Sequence, residues 1–283
     1  MFKAKQYILI GSVAVLVAVL YSLDIKGLVK PKENRGMETT ATAGEAPVAT
    51  SVSSESVSSV SKQMISATLA ADIENLEKEL KSADGAQKTA IQKQIAQKWD
   101  DVNQPAAAAF AYEAIAVAEP NYQNWIIAGD RFTDGYQNFR DTTATAGLLN
   151  KAMNAYTKAL EIKPESLDAK TGLGVAYVSG TQEPMKGIAL LLGVVKEDPK
   201  NMKANMNLGM FSMKSGQFEK AVDRFKTVIS ISPAPEAWFY LGTSYENMGM
   251  KPEAILAYQK SKELAADASL SDFVDRKIKE LNN

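Results

Sequence analysis

The chain has 283 residues, of which 46% are hydrophobic, and its 32 Lys and Arg residues nearly balance its 33 Asp and Glu residues, for a net charge of −1. Such a balance lacks the basic surplus with which proteins bind nucleic-acid backbones. The sequence contains neither cysteine nor histidine. This excludes disulfides, thiolate metal sites and catalytic arrangements that depend on a histidine base.

An uncharged apolar run, residues 7–23, follows a short N-terminal tail of residues 1–6. As an α-helix this run spans roughly 26 Å, which approaches the thickness of a bilayer core of about 30 Å. A signal-peptidase site needs small residues after the apolar run, but Tyr21, Leu23 and Asp24 occupy these positions. We therefore predict an uncleaved transmembrane signal-anchor, with a cleavable signal peptide as the alternative.

Basic residues flank this run on both sides, so the positive-inside rule does not favour a cytoplasmic N-terminus. They are Lys3 and Lys5 before the run, and Lys26, Lys30, Lys32 and Arg35 after it. Since an apolar run close to the N-terminus usually acts as an export signal, we expect a single-pass protein of the bacterial inner (cytoplasmic) membrane. Its larger part then lies in the periplasm, and the opposite orientation is the alternative.

The composition changes after the apolar run. Residues 24–62 are rich in Ser, Thr and Ala, which is typical of a flexible tether. Residues 63–88 contain an amphipathic helix from Met64 to Ser82, which the pair Asp84-Gly85 ends. Its apolar residues recur at steps of four and three: Ile65, Leu69, Ile73, Leu76 and Leu80. We expect this helix to cover the open end of the next domain, with a coiled-coil dimer contact as the alternative.

Residues 89–268 carry a repeated pattern of two amphipathic helices joined by a short turn. The clearest copy has Trp238, Leu241, Gly242 and Tyr245 on its first helix, Gly249 in the turn, and Ala254 and Tyr258 on its second helix. The copy before it has Leu208, Gly209, Gly216, Ala221, Phe225 and Pro233. The small residues let two helices approach closely where they cross, and glycine permits a tight turn between them.

Three weaker copies precede these two. They contain, in turn, Ile95, Ala96, Trp99, Ala108, Tyr112 and Pro120; Trp125, Gly129, Phe132, Ala152, Tyr156, Ala159 and Pro164; and Leu173, Gly174, Tyr177, Gly187, Leu191, Val194 and Pro199. In the earliest copy, Asn103 replaces the turn glycine and Ala96 replaces the helix glycine. The segment from Thr133 to Gly147 exceeds the usual turn by roughly ten residues, so we predict an inserted loop there.

This spacing resembles the tetratricopeptide repeat (TPR), whose pattern is W-x2-L-G-x2-Y, A-x3-F and P over about 34 residues. The resemblance implies an all-α fold: a TPR-type α-solenoid of about five helix–turn–helix repeats, preceded by one transmembrane helix and a flexible linker. An ordinary helical bundle is the alternative. Residues 269–283 fit a C-terminal capping helix, because a solenoid needs an end with one polar side. Its apolar stripe comprises Leu270, Val274, Ile278 and Leu281.

The sequence contains no nucleophilic-serine motif, no P-loop and no dinucleotide-binding loop. Asp130 and Asp134 stand one helical turn apart, and paired carboxylates can hold a metal or act as acid and base. At a helix end before a polar loop, we expect them to be simply solvated. The sequence therefore predicts that the protein is not an enzyme, with no catalytic residue, metal site, cofactor, small-molecule substrate or nucleic-acid partner.

The resemblance to TPR proteins implies that the first helix of each repeat lines the inner surface of a curved stack. Residues at those positions form a predicted partner-binding groove: Val175, Val178, Met206, Met210, Met213, Phe239 and Glu246. Methionine is common at adaptable binding surfaces, so we expect an extended or helical segment of a partner protein there. A methionine stripe with this spacing is also typical of a helix core. The Lys/Asn/Arg set with which some TPR domains hold a terminal carboxylate is not found.

The function predicted from the sequence is that of a membrane-anchored TPR scaffold, which binds or assembles partner proteins on the periplasmic side of the bacterial inner membrane. Two alternatives follow from the same features. One is a cytosol-facing TPR receptor for client proteins at a membrane. The other is a fixed accessory subunit of a larger membrane complex such as a protein translocon.

Overall fold

The computed structural model describes residues 52–139, 142–265 and 268–282, which belong to one compact unit, Val48–Asn283. These ranges contain thirteen α-helices and no strand. The helices are α1 (Ser54–Lys62), α2 (Ala67–Ser82), α3 (Gly85–Asp101), α4 (Pro105–Ala118), α5 (Tyr122–Asn138), α6 (Thr142–Ile162), α7 (Leu167–Gly180), α8 (Pro184–Glu197), α9 (Met202–Lys214), α10 (Phe218–Ile231), α11 (Pro235–Asn247), α12 (Lys251–Ala265) and α13 (Ala268–Asn282).

The predicted signal-anchor of residues 7–23 lies outside the described residues. Among the helices that are described, none combines the length and the apolar character that crossing a bilayer requires.

The prediction of a flexible tether over residues 24–62 is wrong for its last part, because residues 54–62 form α1. The Ser53 side chain caps this helix by accepting a hydrogen bond from the Ser56 backbone N–H (3.1 Å). Val57 is buried, and the Ser58 hydroxyl donates to Glu77 of α2 (2.6 Å). Tertiary contacts thus stabilise a helix in a serine-rich stretch whose intrinsic helix propensity is low.

Helix α2 ends at Ser82, as the sequence predicts. It begins at Ala67, where the Ser66 hydroxyl accepts a hydrogen bond from the backbone N–H of Leu69 (3.4 Å). Ile73 is completely buried, and α2 packs against α3. Together with α1, which contacts α4, this helix covers the first hairpin of the repeats, as expected for the N-terminal end of a stack.

Helices α3 to α12 pair into five successive hairpins, each packed on the next. The first helices of neighbouring hairpins also touch each other: α5 contacts α7, α7 contacts α9, and α9 contacts α11. The buried apolar side chains form four clusters that follow one another along the chain. This serial core confirms the helical-repeat solenoid and differs from an ordinary bundle, whose helices surround one nucleus.

In three hairpins, the two helices cross where a glycine of the first helix meets an aromatic ring of the second. A Cβ atom on Gly209 would lie 2.6 Å from Phe225 Cε1, and one on Gly242 would lie 2.8 Å from Tyr258 Cδ1. A Cβ on Gly129 would lie 2.7 Å from Tyr156 Cε1. These distances are too short for real contacts, so the crossings need a residue without a side chain. The small residues in the sequence pattern therefore have the role predicted for them.

The turns between helices also agree with the sequence pattern. Gly216 (φ 72°) and Gly249 (φ 75°) adopt the left-handed conformation that favours glycine. Asn103 (φ 52°) takes this conformation in the first hairpin, where asparagine is the best-tolerated substitute.

The inserted loop predicted from Thr133 to Gly147 is not observed. Helix α5 continues to Asn138 and α6 begins at Thr142, so the additional residues lengthen both helices. The extension packs closely on the preceding hairpin, because a Cβ on Gly135 would lie 2.7 Å from the Ala106 Cα. In α6, Leu148 and Leu149, which directly follow the predicted loop, are buried. Burial of these side chains explains why helix replaces loop.

The chain ends in α13, which has the apolar stripe predicted for a cap. Val274 is completely buried against Ala254 and Tyr258 of α12, and Leu270, Ile278 and Leu281 pack on the same cluster. The opposite side of α13 is exposed at Asp275, Arg276 and Lys279.

Replacing Gly209 by alanine should destabilise the fold by about 1–3 kcal/mol, because the new methyl group collides with the buried Phe225 ring. Gly193 of α8 is the matched control, since a Cβ there meets nothing within 4 Å. Gly193→Ala should stabilise by about 0.5–1 kcal/mol through helix propensity. Urea unfolding of both variants tests this, and equal effects would contradict the close crossing.

Deleting residues 269–283 should cause self-association and a lower melting temperature, because it exposes the apolar surface around Tyr258 and Ala254. Val274→Asp in the complete chain should act in the same direction. Light scattering and thermal unfolding provide the measurements. A truncated chain that stays monomeric with an unchanged melting temperature would show that α13 is not a cap.

Candidate functional site

The side of the stack formed by the first helices α5, α7, α9 and α11 is called the first-helix face below. Lys203 of α9 reaches across α7 to Asp130 of α5, with 3.3 Å between Nζ and Oδ1. Packed helix axes lie about 8–10 Å apart, so α5 and α9 would stand roughly 16–20 Å apart in a flat row. The ion pair therefore links the helices on either side of α7 on this face.

A cavity of about 280 Å³ opens on this face between α5, α7 and α9. We call it the polar cavity. Its lining residues are Asp130, Arg131, Thr133, Asp134, Gln137, Tyr156, Gly172, Val175, Lys203 and Asn207.

Arg131 is bound to Asp100 of the first hairpin. Its Nε and Nη2 atoms donate to the two carboxylate oxygens at 2.7 and 3.1 Å, a geometry that makes a charge-assisted pair strong. The Tyr112 hydroxyl donates to the same carboxylate (2.8 Å). Burial and the neighbouring Asp100 raise the pKa of Tyr112 to about 12, and the bond to Asp100 raises the pKa of Arg131.

Asp130 accepts two contacts, the ion pair with Lys203 and a hydrogen bond from the Tyr156 hydroxyl (2.8 Å). Tyr156 is the ring that crosses Gly129, so its hydroxyl reaches the first-helix face from the second helix of the hairpin. Burial, with the nearby Asp130 charge, raises the pKa of Tyr156 well above its ordinary value. The tyrosine therefore stays protonated and acts as a hydrogen-bond donor.

Asp134 lacks comparable partners among the described residues. Its one charged contact is Arg131 Nη1 at 3.6 Å, and its side chain is 49% exposed. Loss of solvent around the carboxyl raises the pKa of Asp134, although Arg131 opposes this shift. The expectation that Asp130 and Asp134 are simply solvated is thus wrong for Asp130, which is bonded within the site, while Asp134 is half-exposed beside it.

The apolar residues predicted for the groove lie next to the polar cavity. Met206, Met210 and Met213 of α9 are half-buried and pack against the cluster around Phe225. Val175 is buried and lines the polar cavity, while Val178 is half-buried one turn further along α7. The methionines are therefore in contact with the core and still partly open to solvent.

The last two predicted groove residues lie on α11. The Phe239 ring is half-buried among the rings of Tyr240, Tyr258 and Phe273, at centroid distances of 5.8, 5.6 and 5.7 Å. Glu246 accepts a hydrogen bond from the Tyr258 hydroxyl and forms an ion pair with Lys277 of α13 (3.0 Å). These contacts place the C-terminal cap at the edge of the first-helix face.

The seven predicted residues thus belong to the first helices α7, α9 and α11, and the structure adds a polar group that sequence reasoning missed. Lys203 and Asp130 are 73 positions apart in the chain, and no local pattern links them. The only available signal was the spacing of Asp130 and Asp134. In the described part of the chain, no group of His, Cys, Asp and Glu side chains is arranged to hold a metal ion.

Comparison with known proteins supports the repeats. Family models described as tetratricopeptide repeat match residues 203–235 and 236–267, which contain the fourth and fifth hairpins. The BBSome complex member BBS4 of Bos taurus is 29% identical over 121 residues, or 42% of this chain. The match spans 23% of that relative's length.

Solved structures of similar fold include the thermophilic TPR protein TTC0263 of Thermus thermophilus. It has a TM-score of 0.51 and 17% identity, covering 66% of this chain and 97% of its own. MamA protein has a TM-score of 0.45 and 24% identity, covering 62% of this chain and 90% of its own. The likeness to TTC0263 shows the helical-repeat fold, and the family match confirms that the chain contains TPR repeats.

Asp134→Asn should raise the melting temperature at pH 7, because the raised pKa of Asp134 means that folding disfavours its ionised form. The gain should stay below about 1 kcal/mol, since water screens a half-exposed carboxylate. The ionised Asp134 destabilises the fold fully above its folded-state pKa, and this destabilisation is lost as the pH falls below the pKa of an aspartate in the unfolded chain. The difference in melting temperature between the variant and the unmodified protein should therefore vanish near pH 3. Thermal unfolding at both pH values measures it.

The exposed Asp223 of α10 is the matched control, and Asp223→Asn should leave the melting temperature unchanged. A lower melting temperature for Asp134→Asn at pH 7 would mean that the contact with Arg131 outweighs the loss of solvent.

Proposed function

We propose that this protein is a TPR scaffold that binds a segment of a partner protein along the first-helix face. The observation that carries this proposal is the position of Met206, Met210 and Met213. These side chains are half-buried on the first-helix face, so a ligand could cover them without disturbing the core. Methionine side chains adapt to different ligand shapes, which suits a scaffold.

The groove proposed for the partner segment comprises Val175, Val178, Met206, Met210, Met213, Phe239 and Glu246. An extended or helical segment would contact the methionines and Phe239 through apolar side chains. Val175 and Glu246 would mark the two ends, where the groove meets the polar cavity and the C-terminal cap. Binding of this kind derives most of its free energy from a few central apolar contacts.

The proposal includes an anchor in the bacterial inner membrane through residues 7–23, with the repeats in the periplasm. Its support is the uncharged apolar run in the sequence, which as a helix approaches the thickness of a bilayer core. A tether after the anchor would let the repeats reach partners close to the membrane. A cytosol-facing receptor and a fixed accessory subunit of a membrane complex remain the alternative functions.

The groove can be probed with peptides from a displayed library of random 12-residue sequences. These peptides are selected for binding to the full-length protein in mild detergent. Changing Met206 and Met210 together to Gln should weaken their binding about tenfold or more, because two central apolar contacts are lost. Fluorescence anisotropy measures the affinity. Met185→Gln is the matched control, since Met185 of α8 is 69% exposed and lies outside the groove.

The double variant must keep the melting temperature of the unmodified protein within a few degrees, so that weaker binding reports on the groove. Full affinity in a folded double variant would refute binding at the methionines.

Alkaline phosphatase fused after Asn283 tests the orientation, because this enzyme is active only outside the bacterial cytoplasm. We expect the phosphatase fusion to be active. An inactive phosphatase fusion, together with fluorescence from a second fusion that carries a cytoplasmic fluorescent reporter at the same position, would support the cytosol-facing receptor instead.

A further inference from the structure

The polar cavity and the methionines are neighbours on the same helices. Lys203 and Asn207 line the cavity, and Met206 and Met210 each follow one of them by three positions in α9. Residues three apart on a helix are adjacent on its surface. A segment that covers the methionines therefore passes the mouth of the polar cavity.

Two carboxylates, Asp130 and Asp134, and two cations, Arg131 and Lys203, line the cavity. Arg131 is also paired with Asp100, which lies outside the lining, so the group as a whole has three carboxylates and two cations. Arg131 uses two of its nitrogen atoms on Asp100. Its remaining contact with Asp134 measures 3.6 Å, which exceeds hydrogen-bond distance. The unbalanced charge therefore lies at Asp134.

Three polar side chains of the cavity, those of Tyr156, Thr133 and Asn207, already donate to other groups. The Tyr156 hydroxyl donates to Asp130 and the Thr133 hydroxyl to the Gly129 carbonyl oxygen (2.9 Å). The Asn207 amide donates to the Lys203 carbonyl oxygen (2.8 Å). Among the described residues, the Asp134 carboxylate receives no hydrogen bond. The Asp134 carboxylate is thus open to an incoming hydrogen-bond donor.

Lys203 shows what kind of group the cavity accepts. Its ammonium group lies 3.3 Å from Asp130, and its side chain is 52% exposed. A long and exposed contact of this type is weak, so a cation on a partner can displace the Lys203 ammonium at little cost. Arginine fits this place best, because its planar guanidinium group can bond two carboxylate oxygens together.

We infer that the polar cavity binds a basic side chain of the partner segment, with the carboxylates of Asp130 and Asp134 as its acceptors. This inference rests on the proposed function and specifies its ligand. The partner segment then carries an arginine or lysine next to apolar residues, and the apolar residues cover Met206 and Met210.

The peptide selection described above tests the inference when the sequences of the selected peptides are determined. Arginine or lysine should be enriched at one position, beside a group of apolar residues. Replacing that basic residue by glutamine in the labelled peptide should weaken binding about tenfold or more, because a charge-assisted hydrogen bond is lost.

Two variants of the protein separate a binding role from a structural one. Asp134→Asn should remove most of the tenfold preference for the basic peptide over its glutamine version, and Asp223→Asn should keep it. Lys203→Gln should make the basic peptide bind several-fold tighter, because the competing ammonium group is gone. If Asp134 and Lys203 acted only on the stability of the fold, the two variants would not change the affinity for the basic peptide in opposite directions.

The possible outcomes are distinct. Selected peptides that depend on Met206 and Met210 but carry no preferred basic residue would overturn the inference and leave the proposed function standing. Enrichment of Asp or Glu beside Lys203 would also overturn it. Failure to select any peptide that depends on the methionines would overturn both.

Discussion

The close crossing of two helices at a glycine is the contact on which this structure depends. At Gly129, Gly209 and Gly242, an aromatic ring of the second helix occupies the space where a side chain would be. This contact fixes the distance between the two helices of a hairpin and therefore determines which side of the first helix remains available. In the second, fourth and fifth hairpins, the exposed side of the first helix is a consequence of these crossings.

The identity of the crossing ring also determines the chemistry of the face. Where the ring is a tyrosine, its hydroxyl extends past the crossing and donates to a carboxylate on the first helix, Asp130 from Tyr156 and Glu246 from Tyr258. Phe225 has no hydroxyl, and there the face carries half-buried methionines. The presence of the tyrosine hydroxyl in some hairpins and its absence in another thus accompanies a change from polar to apolar surface. The proposed partner segment must match this alternation.

The local features of the chain could be predicted from its residues because each depends on neighbours in sequence. Helix periodicity, the small residues at crossings, the turn residues Asn103, Gly216 and Gly249, and the apolar stripe of the cap are all of this kind. The helix of residues 54–62 and the continuous helices on both sides of residue 140 could not. Both depend on burial against distant helices: Val57 is buried as α1 packs on α4, and Gly135 lies against Ala106.

The sequence by itself determined the repeat architecture, because a short, regular spacing encodes a helical hairpin, and the groove of seven residues stays a prediction. Only the tertiary structure decided what surrounds them. It joins Lys203 to Asp130 and Arg131 to Asp100, and within the described ranges it gives the Asp134 carboxylate no hydrogen bond. These pairs bring together different hairpins, and their distances depend on how the hairpins stack. A pattern confined to one hairpin carries no information about that stacking, which is why the polar cavity could not be predicted.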